Sequence, residues 1–247
     1  MKYSAAVNLG MALFLSVISI HANASIALDR TRVVFPGGEK SVSMTVANEN
    51  KQLPYLAQGW VENEKGEKIS SPFIVLPPVQ RVEPGAKTQV KIQATAGLSA
   101  LPRDRESIYY FNLREIPPRS NKPNVLQLAL QTKIKLFYRP EALLQPENAT
   151  PWQESLTLER KGDRFIVHNP TGYYATIIDA HAKGTKAASK FHALMVSPKS
   201  DADLGVAAAS LGSSPQIVYI NDFGGRPVLT FGCAGSSCKV VSTKTSE

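Results

Sequence analysis

Four cations stand inside stretches that otherwise alternate like β-strands. Arg30 and Arg32 fall in Asp29-Arg30-Thr31-Arg32, within the alternating run 25–35. Lys133 and Lys135 interrupt the run 124–140 in the same way. A cation on a half-buried strand ordinarily faces solvent. If two such strands come close, however, an Arg and a Lys converge on one point. A planar guanidinium fork beside a mobile ammonium is a receptor for a carboxylate. On the residues alone both readings stand.

Other chemistry finds little support. His168, His181 and His192 fall at no H-E-x-x-H or comparable ligand spacing, and the chain has no G-x-S-x-G, no P-loop and no dinucleotide fingerprint. No catalytic residue, metal site or cofactor is expected. Cys233 and Cys238 flank Gly235, Ser236 and Ser237 in a short hairpin. In an oxidising compartment they are expected to pair across it, closing a small loop that stabilises by roughly 2 kcal/mol. A zinc site would need about four ligands, and no suitable histidine lies nearby.

The elements that must position these residues read as strands. In 124–140, Leu126, Leu128 and Leu130 alternate with Gln127, Ala129 and Gln131, and Pro140 closes the run. A strand of that length either fills a sandwich core with its leucines or offers them to a partner. Residues 41–47, 55–61, 88–94 and 107–114 are further strands, separated by Pro- and Gly-rich turns. After Pro140, residues 141–152 read as a linker with little β pattern. Seven short strand candidates follow, at 156–158, 164–168, 173–179, 193–196, 216–221, 227–231 and 238–242. Residues 182–189 are the one weak helix candidate. The class is all-β.

Lys2, the apolar run 11–20 and Ala22-Asn23-Ala24 form a secretory leader, expected to be cut after Ala24. The apolar run is too short to span a bilayer. Removal leaves 223 residues, which suits two domains of roughly 100 residues. The net charge of +8 is scattered rather than gathered in one run, so nucleic acid is not an expected partner, and the exported protein is not expected to sit in a membrane.

Several motifs then act together: Leu28-Asp29-Arg30-Thr31-Arg32, Asn50-Lys51-Gln52-Leu53-Pro54-Tyr55, Pro77-Pro78-Val79-Gln80-Arg81, Tyr110-Phe111-Asn112-Leu113-Arg114-Glu115-Ile116-Pro117-Pro118, Ile134-Lys135-Leu136-Phe137-Tyr138-Arg139-Pro140 and Ile220-Asn221-Asp222-Phe223-Gly224-Gly225-Arg226-Pro227. Together they resemble the PapD-like family of periplasmic pilus-assembly chaperones, over nearly the whole exported chain. The resemblance implies two immunoglobulin-like β-sandwich domains set at an angle with a cleft between them, residues 25–144 and 145–247. It implies that Arg32 and Lys135 anchor the C-terminal carboxylate of a pilus subunit. Leu126, Leu128 and Leu130 would fill the groove of an incomplete subunit, and Glu106, Arg139 and Asp222 would form a charged cluster fixing the angle between domains.

One tension accompanies this: strict alternation puts Lys135 on the face opposite the leucines, unless a bulge intervenes. The partners implied are pilus subunits (major, minor and tip adhesin) and an outer-membrane usher, with self-association when no subunit is bound. The competing reading is a secreted sandwich that is itself a structural pilus subunit or an adhesin.

Overall fold

The computed structural model describes residues 25–146, 148–185 and 191–245. The expected leader and its cleavage site lie outside the described residues, as do 186–189 of the helix candidate. The first residues of that candidate end a strand and enter a turn.

The N-terminal half is a sandwich of two sheets. One sheet holds β1 (Ile26–Leu28), β3 (Ser41–Asn48), β8 (Lys87–Ala94) and β6 (Phe73–Leu76), in that order. The other holds β2 (Arg32–Pro36), β10 (Gln131–Arg139), β9 (Ser107–Ile116), β4 (Tyr55–Glu62) and β5 (Lys68–Ile69), with β7 (Val79–Val82) also on β4. Alternate residues of each strand turn inward. Met44 and Val46 of β3, Val90 and Ile92 of β8, Phe111 and Leu113 of β9, and Ile134 and Leu136 of β10 are all buried. The rings of Phe35 and Phe73 pack at 4.9 Å between the layers.

Two expected strands take a different form. The run 25–35 is not one strand but two, in different sheets. The Asp29 carboxylate accepts from the Thr45 amide at 3.0 Å, which closes the β1–β3 pairing, and the chain crosses to the other sheet before Arg32. The run 124–140 is a ladder strand only from Gln131. Its partner β9 ends at Ile116, and Pro117 and Pro118 have no amide to donate. The Glu115 amide still donates to the Leu130 carbonyl at 2.9 Å; residues 125–129 lie beyond any strand neighbour.

The C-terminal half wraps one eight-stranded antiparallel sheet around a second core. Its strands are β11 (Thr157–Lys161), β12 (Arg164–Asn169), β13 (Ala175–Ala182), β14 (Leu194–Val196), β15 (Ser200–Ala207), β16 (Pro215–Tyr219), β17 (Val228–Ala234) and β18 (Ser237–Lys244), in the order β14-β13-β16-β17-β18-β11-β12-β15. Leu158, Phe165, Ile177, Leu204, Ile217 and Phe231 fill it. Trp152, at the end of the expected linker, stacks on Tyr173 at 4.7 Å and belongs to this core. The edge strand β15 is missing from the sequence reading because small residues dilute its alternation. Leu204 and Val206 are its buried members.

Candidate functional site at the junction of the two sandwiches

β2 runs parallel to β10, and the ladder begins with Lys135 opposite Arg32. Register partners in a sheet project from the same face, one strand spacing of roughly 4.8 Å apart. The two cations therefore stand side by side on the outer face of the first sandwich. Arg32 is only 8% exposed. Its Nη1 donates to the Ile220 carbonyl of the second sandwich at 3.2 Å, and its guanidinium lies over the Phe137 ring at 5.8 Å. Its Nε is buried and has no acceptor among the described residues. Burial pulls both cations below their ordinary pKa ranges. For Lys135 the neighbouring charge of Arg32 adds to the effect; for Arg32 the carboxylates of Asp222 and Glu106 push back. Such a pair, half out of water and short of an acceptor, is suited to an anion.

The other two strand cations are neutralised elsewhere. Arg30 is exposed and pairs with its neighbour Asp29 at 2.8 Å. The Lys133 ammonium sits 2.6 Å from the Glu62 carboxylate and over the Tyr110 ring at 4.7 Å. Trp60 Nε1 donates to the same carboxylate at 2.7 Å. Burial alone would raise Glu62, but the Lys133 and Trp60 bonds win and hold it below the usual carboxylate range.

The ladder that begins at Arg32 also defines an opening. N-terminal to Lys135, residues 131–134 are bonded to β9 on one side only. Beyond them Leu126, Leu128 and Leu130 are 82%, 65% and 49% exposed. They share the alternation phase of Ile134 and Leu136, which are buried, so the apolar stripe of a core strand continues past the core. The β9–β10 register runs from Gln131 to Tyr138 without a shift. No bulge intervenes there: Lys135 and the apolar stripe use opposite faces.

Arg139, at the end of β10, is the hub of the junction. Its Nε donates to Glu106 at 2.8 Å, and its two terminal nitrogens hold Asp222 bidentately at 2.6 and 2.9 Å. The guanidinium also lies over Tyr173 at 4.9 Å. Glu106 accepts from the Tyr174 amide at 2.8 Å through its other oxygen. Burial pushes the Glu106 carboxyl above its usual range, against the pull of Arg139 and the Tyr174 amide. Burial works against the Arg139 charge, but the two carboxylates outweigh it and hold the group above its ordinary range. Gly224, with φ of +85°, lets the turn that carries Asp222 come close to the first sandwich. A Cβ there would stand 2.7 Å from the Thr31 hydroxyl.

Away from the junction, Cys233 and Cys238 are cross-strand partners on β17 and β18 and form a disulfide. His168 lies 3.1 Å from Glu159 and 2.7 Å from Asp201, and His181 lies 3.2 Å from Asp179. Among the described residues no group of three His, Cys, Asp or Glu is arranged to hold a metal ion. Sequence reasoning missed the Ile220 carbonyl, the Glu62 partner of Lys133 and the Phe137–Tyr174 contact at 5.9 Å. None has a linear signal, because each depends on how distant strands register or on how the sandwiches meet.

Two immunoglobulin-like sandwiches joined through buried charges, with a half-open strand beside paired cations, define the class. The family model for the pili and flagellar-assembly chaperone PapD N-terminal domain matches residues 25–144, and that for the pili assembly chaperone PapD C-terminal domain matches residues 151–231. The chain belongs to the PapD-like family of pilus-assembly chaperones. It is 51% identical over 231 residues to the probable fimbrial chaperone YfcS of Escherichia coli K12, covering 93% of this chain and 91% of the relative. It is 52% identical over 225 residues to the chaperone protein PapD of Escherichia coli, covering 90% and 92%. Among solved structures, the SafB chaperone in complex with the SafA pilin of Salmonella enterica aligns with a TM-score of 0.67 at 28% identity, over 83% of this chain and 93% of that one. With chaperone models matched through both halves, the structural-subunit or adhesin reading is set aside.

Proposed function

We propose that this chain is exported to the periplasm, loses residues 1–24 after Ala24, and captures pilus subunits there. The single observation that carries this is the coincidence of Arg32 and Lys135 with the point where the edge of β10 opens. A strand placed in line ahead of β2 would run parallel to β10 and end at Arg32. Its terminal carboxylate would meet the two cations and supply the acceptor that Arg32 Nε lacks. The backbone of residues 125–134 would then bond the edge of an incomplete subunit, whose exposed strand is otherwise an aggregation hazard. Leu126, Leu128 and Leu130 would cover its apolar groove, each contributing up to roughly 1.5–3 kcal/mol. The anchor sets register, because a slip of one residue would turn every side chain to the other face.

In this mechanism the units 25–144 and 145–247 act as one body braced by Glu106, Arg139 and Asp222. Binding energy alone drives it: no catalytic step, metal or cofactor is used. Major, minor and tip-adhesin subunits are its cargo, and an outer-membrane usher receives them. Release follows when another subunit's strand replaces β10. The test is recovery of the tagged protein from its native periplasm. We expect a pilus subunit in equal amount with wild type and none with Leu128→Glu. Recovery of wild type without any subunit would overturn the reading.

A further inference from the structure

We propose that Phe223, on the second sandwich, is a contact for the captured subunit, packing against an apolar side chain of the subunit beside its anchored carboxylate. The inference rests on the subunit-capture reading above and assigns the second sandwich a share of recognition in addition to bracing. Phe223 is 96% exposed, the most exposed large apolar side chain among the described residues. A lone apolar side chain in water is ordinary by itself; what sets this one apart is the fixed backbone beneath it and its place beside the anchor.

Here the turn is fixed from several sides. Asn221 Oδ1 accepts from the Phe223 amide at 3.1 Å and from the Gly225 amide at 2.8 Å. The Asn221 amide donates to the Gly225 carbonyl at 3.0 Å, and the Gly224 amide donates to the Asn221 carbonyl at 3.1 Å. The preceding residue, Asp222, is held bidentately by Arg139, and the following one, Gly224, lies against Thr31.

The location decides the occupant. Ile220, three residues earlier, accepts from Arg32 itself, so the turn borders the anchor from the second sandwich. The exposed leucines extend N-terminal to Lys135 on the first. A subunit tied at Arg32 and Lys135 and lying along the open edge of β10 therefore has apolar side chains of this protein on both flanks. The chemistry of the ring selects an aliphatic or aromatic subunit side chain. A rigid turn also presents it with little ordering cost on binding.

The test is competition. The complex of untagged wild-type protein with the subunit that accompanies it from the periplasm is mixed with an equal amount of tagged competitor. Partition of the subunit is read at equilibrium for tagged wild type, Phe223→Ser and Phe223→Leu. Because the ring is almost wholly in water, all three competitors should melt at the same temperature. We expect Phe223→Ser to compete between about tenfold and a hundredfold less well than tagged wild type, the range for burying one such side chain. Phe223→Leu should keep most of the affinity. Equal partition by Phe223→Ser would overturn the contact, as would a loss by Phe223→Leu as large as that by Phe223→Ser. Wild type that carries no subunit would overturn the capture reading, and the contact with it.

Discussion

Lys135 carries its charge where the fold disfavours it, half-buried and with Arg32 as its register partner. Its proton affinity in the folded protein is therefore below the ordinary 10.5. The sign of the consequence follows from linkage. The folded state sheds this proton before the unfolded state does, so this group's contribution to stability rises as pH climbs through the depressed value toward 10.5. An anchored carboxylate does the opposite and favours the ammonium. We therefore expect NMR titration of the Lys135 ammonium to show a depressed pKa in the free protein and a higher one in the subunit complex. Capture should weaken as pH rises through that range; an unchanged Lys135 pKa on capture would count against the anchor. Replacing Lys135 by Ala should cost about 2–5 kcal/mol of subunit affinity without lowering the melting temperature of the free protein. Lys135→Arg should restore only part, since fork and point charge differ in geometry. Arg32→Ala differs from both, because Arg32 also holds the Ile220 carbonyl and should loosen the junction as well.

At the scale of the element, the run 124–140, of which β10 is the ladder-forming part, changes role along its length with no change in alternation. Leu136 is fully buried and Leu128 is 65% exposed. Replacing Leu136 by Ala should cost about 2–5 kcal/mol of stability, as buried truncations do. Leu128→Glu should leave the melting temperature almost unchanged and abolish capture, because on the proposed capture mode it would put a charge in the subunit's apolar groove. Thermal melts and subunit pull-downs on the two variants separate these outcomes. If Leu128→Glu unfolds the free protein, its leucines belong to the core and the element has been misread. The alternation itself was legible in the sequence, as was the closing proline. Where the ladder starts was not, because that depends on β9 running out at Ile116 and on β2 starting at Arg32. Likewise 25–35 reads as one strand because the polar residues 29–32 hide a change of inward phase, from Ile26 in β1 to Val33 and Phe35 in β2. The bond from the Thr45 amide to Asp29 that ends β1 is a tertiary event.

For the whole molecule, the junction places a buried cation between a carboxylate of its own sandwich and one from the other. Glu106 is 3% exposed, so Arg139→Ala would leave it buried without its cation, at a cost of about 3–5 kcal/mol. Calorimetry should then resolve two transitions where coupled sandwiches unfold together. A single unshifted transition would show that the sandwiches are held some other way. Arg139 and Asp222 lie in the quoted motifs, and Glu106 lies in none of them. The meeting of the three came only through the family resemblance, since they are separated by 33 and 83 positions. The most direct test of the account compares two forms of one ligand. A synthetic peptide of the accompanying subunit's C-terminal strand is made with a free carboxylate and with a C-terminal amide, and the affinity of each is measured calorimetrically. The account predicts that the amide binds wild-type protein at least about 30-fold more weakly, and that Arg32→Ala/Lys135→Ala no longer distinguishes the two forms. Equal binding of acid and amide to wild type would contradict it.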